Sequence, residues 1–186
     1  RDALHELLLQ ASHQLVDQVH GQRLLLKAEQ GDLKLKPQPV DVLPFLKDLV
    51  AVYRHHPAVQ PVRVSVSPAN PEAVISTDTA LLSRIMGNLL LNACEAVGPG
   101  GHVAVGCDAE DAGVRIWVEN EGEIPAHVQE KIFACTVSSK GRGRGLGTYS
   151  VRLFCDYLGG QVSFSSRNGL TRFWVSLPKG DGPHRA

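Results

Sequence analysis

The sequence has no hydrophobic run long enough to cross a bilayer. Its longest leucine runs, Leu7 to Leu9 and Leu24 to Leu26, fall far short of a span. It has no excess of either charge. Lysine plus arginine and aspartate plus glutamate stand at 19 each, so a general basic field for nucleic acid is excluded. Cysteine is scarce, with four in 186 residues: Cys94, Cys107, Cys135 and Cys155. No two of them have metal-finger spacing and each sits among apolar neighbours. Free buried thiols in a reducing, cytoplasmic compartment are therefore expected. No signal peptide is visible, and the chain opens at Arg1 without Met, as a fragment would. Repeats and long low-complexity runs are lacking too, and the length fits one domain plus an appendage.

What is present is organised around one predicted helix, Asp78 to Val97. Leu82, Ile85, Leu89, Ala93 and Ala96 recur at helical spacing and mark its apolar stripe. Asn88 and Asn92 share a face, and Glu95 extends their line. Asparagine is a poor helix former because its amide competes for the backbone. Two stacked amides among leucines need partners, because an unpaired buried amide costs roughly 1–3 kcal/mol. Either neighbouring backbone satisfies them, or their oxygens point into a cavity holding a hydrated cation and phosphates. Mg2+ favours hard oxygen ligands of this kind and keeps several waters.

Ahead of this helix, Ala3 to Gln30 reads as one long helix stopped by Gly31. Leu4, Leu8, Ala11, Leu15 and Val19 form a seam close to that of a coiled coil. A single amphipathic helix cannot bury its stripe alone. Its partner is a missing helix, a second copy of the chain or the domain that follows. His13, within Ser12-His13-Gln14, reads as a surface or seam histidine, because nothing around it supports phosphotransfer. Gly31 to Val40, with Pro37 and Pro39, reads as a linker. Asp41 caps the next helix, which buries Leu46, Leu49, Val50 and Tyr53 and ends at Pro57 and Pro61. Val62, Val64 and Val66 mark a half-buried strand, and Val74 to Ser76 a second.

After the central helix, Gly98-Pro-Gly-Gly101 is the stop. Val103, Val105 and Cys107, then Val114, Ile116 and Val118, alternate as a hairpin through Asp111-Ala-Gly113. Pro125 opens a short helix to Phe133. A helix from Thr148 to about Leu158 is stopped by Gly159-Gly160. A last hairpin runs through Asn168-Gly169, with Val162 and Phe164 on one arm and Phe173, Val175 and Leu177 on the other. The polar stretch from Lys179 to Ala186 is expected to be disordered. Antiparallel hairpins with helices on one face give the expected fold: α/β (α+β), a two-layer sandwich of a mixed, mainly antiparallel sheet, plus the N-terminal long helix.

Two further stretches carry chemistry. Gly141, Gly143, Gly145 and Gly147 alternate with Arg142, Arg144 and Leu146 and open a helix. Such glycines let backbone approach a ligand, and the helix start offers free N–H groups to an anion. Lys140 and the two arginines add charge. A solvated flexible loop is the plain alternative. The spacing is neither a P-loop nor a dinucleotide fingerprint. Asn120 and Gly122 lie where a strand becomes a loop. The Asn120 amide can donate and accept, matching a purine edge, though Asn-Xaa-Gly is also ordinary turn chemistry.

In order, Asn88-Leu-Leu-Leu-Asn92-Ala, Asn120-Glu-Gly122, Lys140-Gly-Arg-Gly-Arg-Gly-Leu-Gly147 and Gly169-Leu-Thr171 resemble the ATP-binding domain of sensor histidine kinases. That domain belongs to the GHKL superfamily, shared with type II topoisomerases, mismatch-repair ATPases and heat-shock chaperones. The resemblance covers about Val40 to Leu177. Ile132-Phe133 and Thr136-Val-Ser-Ser-Lys140 resemble the phenylalanine box and the start of the lid. Gly143-Arg-Gly-Leu-Gly147 matches the second glycine box. The chain departs from the pattern in three places. The adenine-binding Asp is Asn120 and that box lacks its second glycine; Leu170 splits the Gly-Thr pair; and the segment between Phe133 and Gly145 is too short for a long lid. A neutral acceptor at position 120 is expected to bind adenine less well than a carboxylate.

The resemblance implies ATP and Mg2+ as cofactors. Asn92 would ligate the metal with help from Asn88. Lys140, Gly143, Gly145, Leu146 and Gly147 would cradle the phosphates. Asn120, Gly122 and Thr171 would form the adenine side. Asn88, Lys140 and, as the weakest candidate, Glu95 would serve the transfer. The implied activity is phosphoryl transfer to a histidine on a phosphoacceptor helix that is missing here, and thence to a response regulator. Leu15 to Leu33 resembles the second helix of the dimerisation hairpin and could pair two copies. The expected division is a remnant helix and linker over 1–36, the catalytic domain over 37–178 and a tail over 179–186. Two rivals stand beside this reading: a degenerate module that only docks proteins, and an ATPase switch of the chaperone or anti-sigma type.

Overall fold

The computed structural model describes residues 16, 18–68, 73–134 and 146–179. The chain divides into two compact units, Arg1–Lys34 and Leu35–Ala186. In the first, residues 18–29 form helix α1. Gly31 ends it at φ 79°, and the Asp32 amide closes on the Lys27 carbonyl at 2.9 Å. His13 and four of the five predicted seam residues, Leu4, Leu8, Ala11 and Leu15, lie outside the described residues.

The second unit runs β1 (Gln38–Asp41), α2 (Val42–Tyr53), β2 (Arg63–Val66), β3 (Val74–Thr77), α3 (Thr79–Val97), β4 (His102–Glu110) and β5 (Gly113–Glu121). It continues with α4 (Ala126–Gln129), α5 (Leu146–Tyr157), β6 (Gln161–Arg167) and β7 (Leu170–Pro178). Five strands form one sheet in the order β2-β4-β5-β7-β6, with β2 parallel to β4 and the remaining pairs antiparallel. The mixed, mainly antiparallel two-layer sandwich expected from the alternation is the fold observed. Among the described residues no helix is long and apolar enough to cross a membrane.

Strand β1 corrects the linker reading. Gln38 to Asp41 pairs antiparallel with β3 in a separate two-stranded sheet. Proline cannot donate to a ladder and is confined to edges, and this small sheet consists only of edges, so Pro39 is tolerated. Asp41 occupies the N-cap position of α2, but its side chain makes no capping bond. The Val42 amide instead donates to the Ala73 carbonyl at 2.9 Å. Val50 and Tyr53 are half-buried, while Val42 joins Leu46 and Leu49 inside.

Helix α3 is anchored at its start. Asp78 Oδ1 accepts from the Ala80 and Leu81 amides at 3.0 and 3.1 Å, and Oδ2 accepts from the Lys36 amide at 2.8 Å. Leu82, Ile85, Leu89 and Ala93 are buried as the stripe predicts, but Ala96 is exposed, and in the last turn the inward positions are Cys94, buried, and Val97, half-buried. Burial of each large apolar side chain here is worth about 1.5–3 kcal/mol. The helix packs on β4 and β5 and beside α5. Val103, Val105, Val118, Ile116 and Val175 fill the sheet face beneath it.

The opposite sheet face carries both tryptophans. Trp117 pairs with Trp174 across β5 and β7, and with Gly106 across β4 and β5. The Arg172 guanidinium lies 4.3 Å over the Trp117 ring and bonds Glu119 Oε2 at 2.8 Å. Arg115 lies 5.5 Å over Trp174 and pairs with Glu110. A Cβ at Gly106 would come within 2.4 Å of the Trp117 ring, so only glycine lets the indole lie flat on β4.

Candidate functional site

The helix face that carries Asn88 and Asn92 meets the first turn of α5. Asn88 is half-buried, and its Nδ2 donates to Ser150 Oγ at 3.1 Å. Ser150 in turn donates to the Gly147 carbonyl at 2.8 Å. Asn92, one turn on, is exposed and faces the same glycine. A Cβ at Gly147 would lie 3.6 Å from Asn92 Nδ2 and 3.8 Å from Oδ1. The two amides therefore have different solutions: a buried hydroxyl for Asn88, open space for Asn92. Glu95 is exposed one turn beyond Asn92.

A second cluster closes the far end of β5 and β7. Asn120 is buried on the helix-facing side, and its Nδ2 donates to the Glu121 carbonyl at 2.7 Å. That bond commits one amide hydrogen to backbone and fixes the carboxamide with Oδ1 on the other side as the acceptor. Gly122 turns the chain at φ 100°, and its amide bonds the Gly169 carbonyl at 2.8 Å. Thr171, paired with Asn120 in register, donates to the Gly122 carbonyl at 2.8 Å. Ser166 accepts from the Ile124 amide at 2.7 Å and lies 2.8 Å from Thr171 Oγ1. Because Thr171 has given its proton to Gly122, Ser166 is the donor in that pair. Thr171 thus shapes the Asn120-Gly122 turn through its hydroxyl. The turn opposite, Asn168 at φ 57° and Gly169 at φ 75°, has the geometry that an Asn-Gly hairpin demands. Its Gly169 amide donates to Glu123 Oε1 at 2.6 Å.

Phe133 packs edge-on against Phe164 and Phe173, at centroid distances of 5.9 and 6.2 Å. Thr148 Oγ1 donates to the Ile132 carbonyl, tying the start of α5 to the residue before Phe133. Lys140, Gly143 and Gly145 lie outside the described residues. Helix α5 begins at Leu146, two residues before the expected start at Thr148, and takes in Gly147 of the glycine run; the Leu146 side chain is also outside the described residues.

The structure therefore brings Asn88, Asn92 and Gly147 together, and separately Asn120, Gly122 and Thr171. Sequence reasoning missed Ser150, Ser166 and Thr148. Single hydroxyls carry no periodic signal, and their partners are set by the packing of α5 and by strand register. Among the described residues three free thiols, Cys94, Cys107 and Cys155, are buried. Burial pushes Cys94 and Cys107 up to about 11, with Glu95 beside Cys94 and Asp108 and Asp41 near Cys107 adding to the shift, and Cys155 up to about 12, with Asp156 adding. Among the described residues no group of three or more His, Cys, Asp or Glu could hold a metal ion.

A family profile described as histidine kinase-, DNA gyrase B-, and HSP90-like ATPase matches residues 77–181, more than half of the chain. Sensor histidine kinase ZraS of Escherichia coli O157:H7 is 35% identical over 106 residues, which are 56% of this chain and 23% of ZraS. Sensor histidine kinase DcuS of Escherichia coli K12 is 33% identical over 112 residues, 58% of this chain and 21% of DcuS. The chain thus spans under a quarter of the length of these two relatives. The solved catalytic domain of histidine kinase ThkA superposes with a TM-score of 0.70 at 23% identity, covering 78% of this chain and 97% of that domain. ThkA in complex with the response regulator protein TrrA gives a TM-score of 0.68 at 18% identity, covering 89% of this chain and 49% of ThkA. These structures share the fold. With the profile match over the asparagine helix and both hairpins, the chain belongs to the family of histidine kinase-, DNA gyrase B- and HSP90-like ATPases, and it is similar within that family to the catalytic, ATP-binding domain of sensor histidine kinases.

Proposed function

We propose that this domain binds ATP with Mg2+ and delivers the γ-phosphoryl group to a histidine on a phosphoacceptor helix, from which an aspartate of a response regulator takes it. The observation that carries the reading is the junction of Asn88 and Asn92 with the first turn of α5 at Gly147 and Ser150. Mg2+, when bound, neutralises phosphate charge, and phosphoryl transfer needs little beyond positioning and that neutralisation. Two carboxamide oxygens are the hard, neutral donors such an ion accepts while it keeps waters. Asn92, exposed beside Gly147, would hold it, and Asn88 would assist. The amides of the α5 first turn, with Lys140, Gly143, Gly145 and Leu146, would receive the phosphates. Asn120 Oδ1 would accept from the adenine amino group, with Gly122 and Thr171 shaping that wall. Glu95 stands last among the candidates for handling a proton.

Two rivals are less well supported. A hydrolytic switch of the chaperone kind places a water-activating carboxylate where Asn88 stands. A carboxamide has no basic lone pair for that task, which favours transfer over hydrolysis. A module that only docks proteins would have no use for the retained Asn120 acceptor. The ThkA complex with TrrA supports a response regulator as partner. The α1 segment would pair with a phosphoacceptor helix or with a second copy, and the domain would work in the cytoplasm. Calorimetric titration with ATP and Mg2+ tests the reading. Wild type should bind, and Asn92→Ala should lose at least about tenfold in metal-dependent affinity, or about 1.4 kcal/mol. An intact chain that takes up no nucleotide would contradict it.

A further inference from the structure

We propose that Ser150 is a positioning residue that fixes which end of the Asn88 amide faces the cation. The inference rests on the reading of Asn88 as a cation-side residue. Ser150 is buried on α5 and has one proton to give. That proton is committed to the Gly147 carbonyl at 2.8 Å, one helical turn back. The hydroxyl oxygen can then only accept, and it accepts from Asn88 Nδ2 at 3.1 Å. The amide group of Asn88 is thereby turned toward α5, and Oδ1 is left on the other side as a free acceptor. The reversed carboxamide would set oxygen against an oxygen whose proton is already used. A primary carboxamide on an unpinned side chain samples both orientations, and only one presents an oxygen to a metal ion. Ser150 also ties the asparagine helix to the carbonyl of Gly147, whose backbone lies against the Asn92 amide.

The partner that orients a ligand typically changes metal affinity by roughly 10–100-fold when removed. The experiment uses the full chain, a fluorescent ATP analogue and a Mg2+ titration, repeated in EDTA, on wild type, Ser150→Ala, Ser150→Thr, Asn88→Ala and the Ser150→Ala/Asn88→Ala double variant. Ser150→Ala should raise the Mg2+ midpoint about tenfold, with metal-free nucleotide affinity unchanged. Ser150→Thr keeps the hydroxyl and should restore the midpoint. In the Asn88→Ala background, Ser150→Ala should have no further effect, because the cycle removes the coupled partner. An unchanged midpoint in Ser150→Ala overturns the inference. So does an equal shift in the Asn88→Ala background, or an equal loss in EDTA, since either marks a merely structural role. The Asn88 side-chain amide protons, followed by NMR, separate this failure from that of the functional reading. They should be protected in wild type and lose protection in Ser150→Ala. A wild type that binds no nucleotide while showing that protection overturns the functional reading and, with it, the metal role of Ser150.

Discussion

Asn120 is a buried carboxamide, and its surroundings suit the amide. Its Nδ2 donates to the Glu121 carbonyl at 2.7 Å. In Asn120→Asp an acceptor would face an acceptor at that position. The variant should lose about 1–3 kcal/mol of stability at neutral pH. The loss should shrink as acid protonates the new carboxyl and restores a donor. Urea denaturation at two pH values measures this, and an equally stable Asp variant at pH 7 would refute it. The thiols make a second residue-scale case. Cys94, Cys107 and Cys155 stay protonated in the fold until about pH 11 to 12. An unfolded thiol loses its proton near about pH 8.5. Between those values the unfolded chain binds fewer protons, so stability falls as pH rises. Native protein at pH 8 should leave these three cysteines unalkylated, while denaturant exposes them. Rapid labelling in the native state would contradict their burial.

Elements were legible where periodicity is strong. The stripe of α3, its Asp78 start and both valine hairpins follow from spacing, because one face of each is buried. Strand β1 was not legible. Pro37 before it and Pro39 within it signal a linker, and only pairing with β3 makes a strand of it. The Trp-Arg lattice on the open sheet face was equally invisible, since it depends on the register that sets Trp117 opposite Gly106 and Trp174. That lattice gives a prediction for the sheet. Gly106→Ala places a Cβ within 2.4 Å of the Trp117 ring. The indole must shift, at a cost of typically about 1–3 kcal/mol for an overpacked site. Trp fluorescence and the urea midpoint should both move. A variant with wild-type spectrum and stability would show that the indole has room.

At the scale of the whole molecule, the asparagine and glycine motifs were legible because each uses residue types that helices and strands otherwise avoid. Their assembly was not, because it needs α5 docked on α3 through Ser150 and the Asn120 turn locked by Ser166 and Thr171. The result is a sandwich that keeps two polar clusters at the helix-facing side of the sheet, to which the proposed function assigns a metal ion with phosphates and a purine edge. Ligand contact should therefore register at both and bypass the open face. The most direct measurement is amide hydrogen exchange of the chain with and without ATP and Mg2+, with Asn92→Ala as the control. The account predicts added protection in the first turn of α5, at residues 147–150, and in the turn at residues 120–124. It predicts no change in β2 and little gain in Asn92→Ala. No added protection in wild type, or protection confined to the Trp117 face, would contradict it.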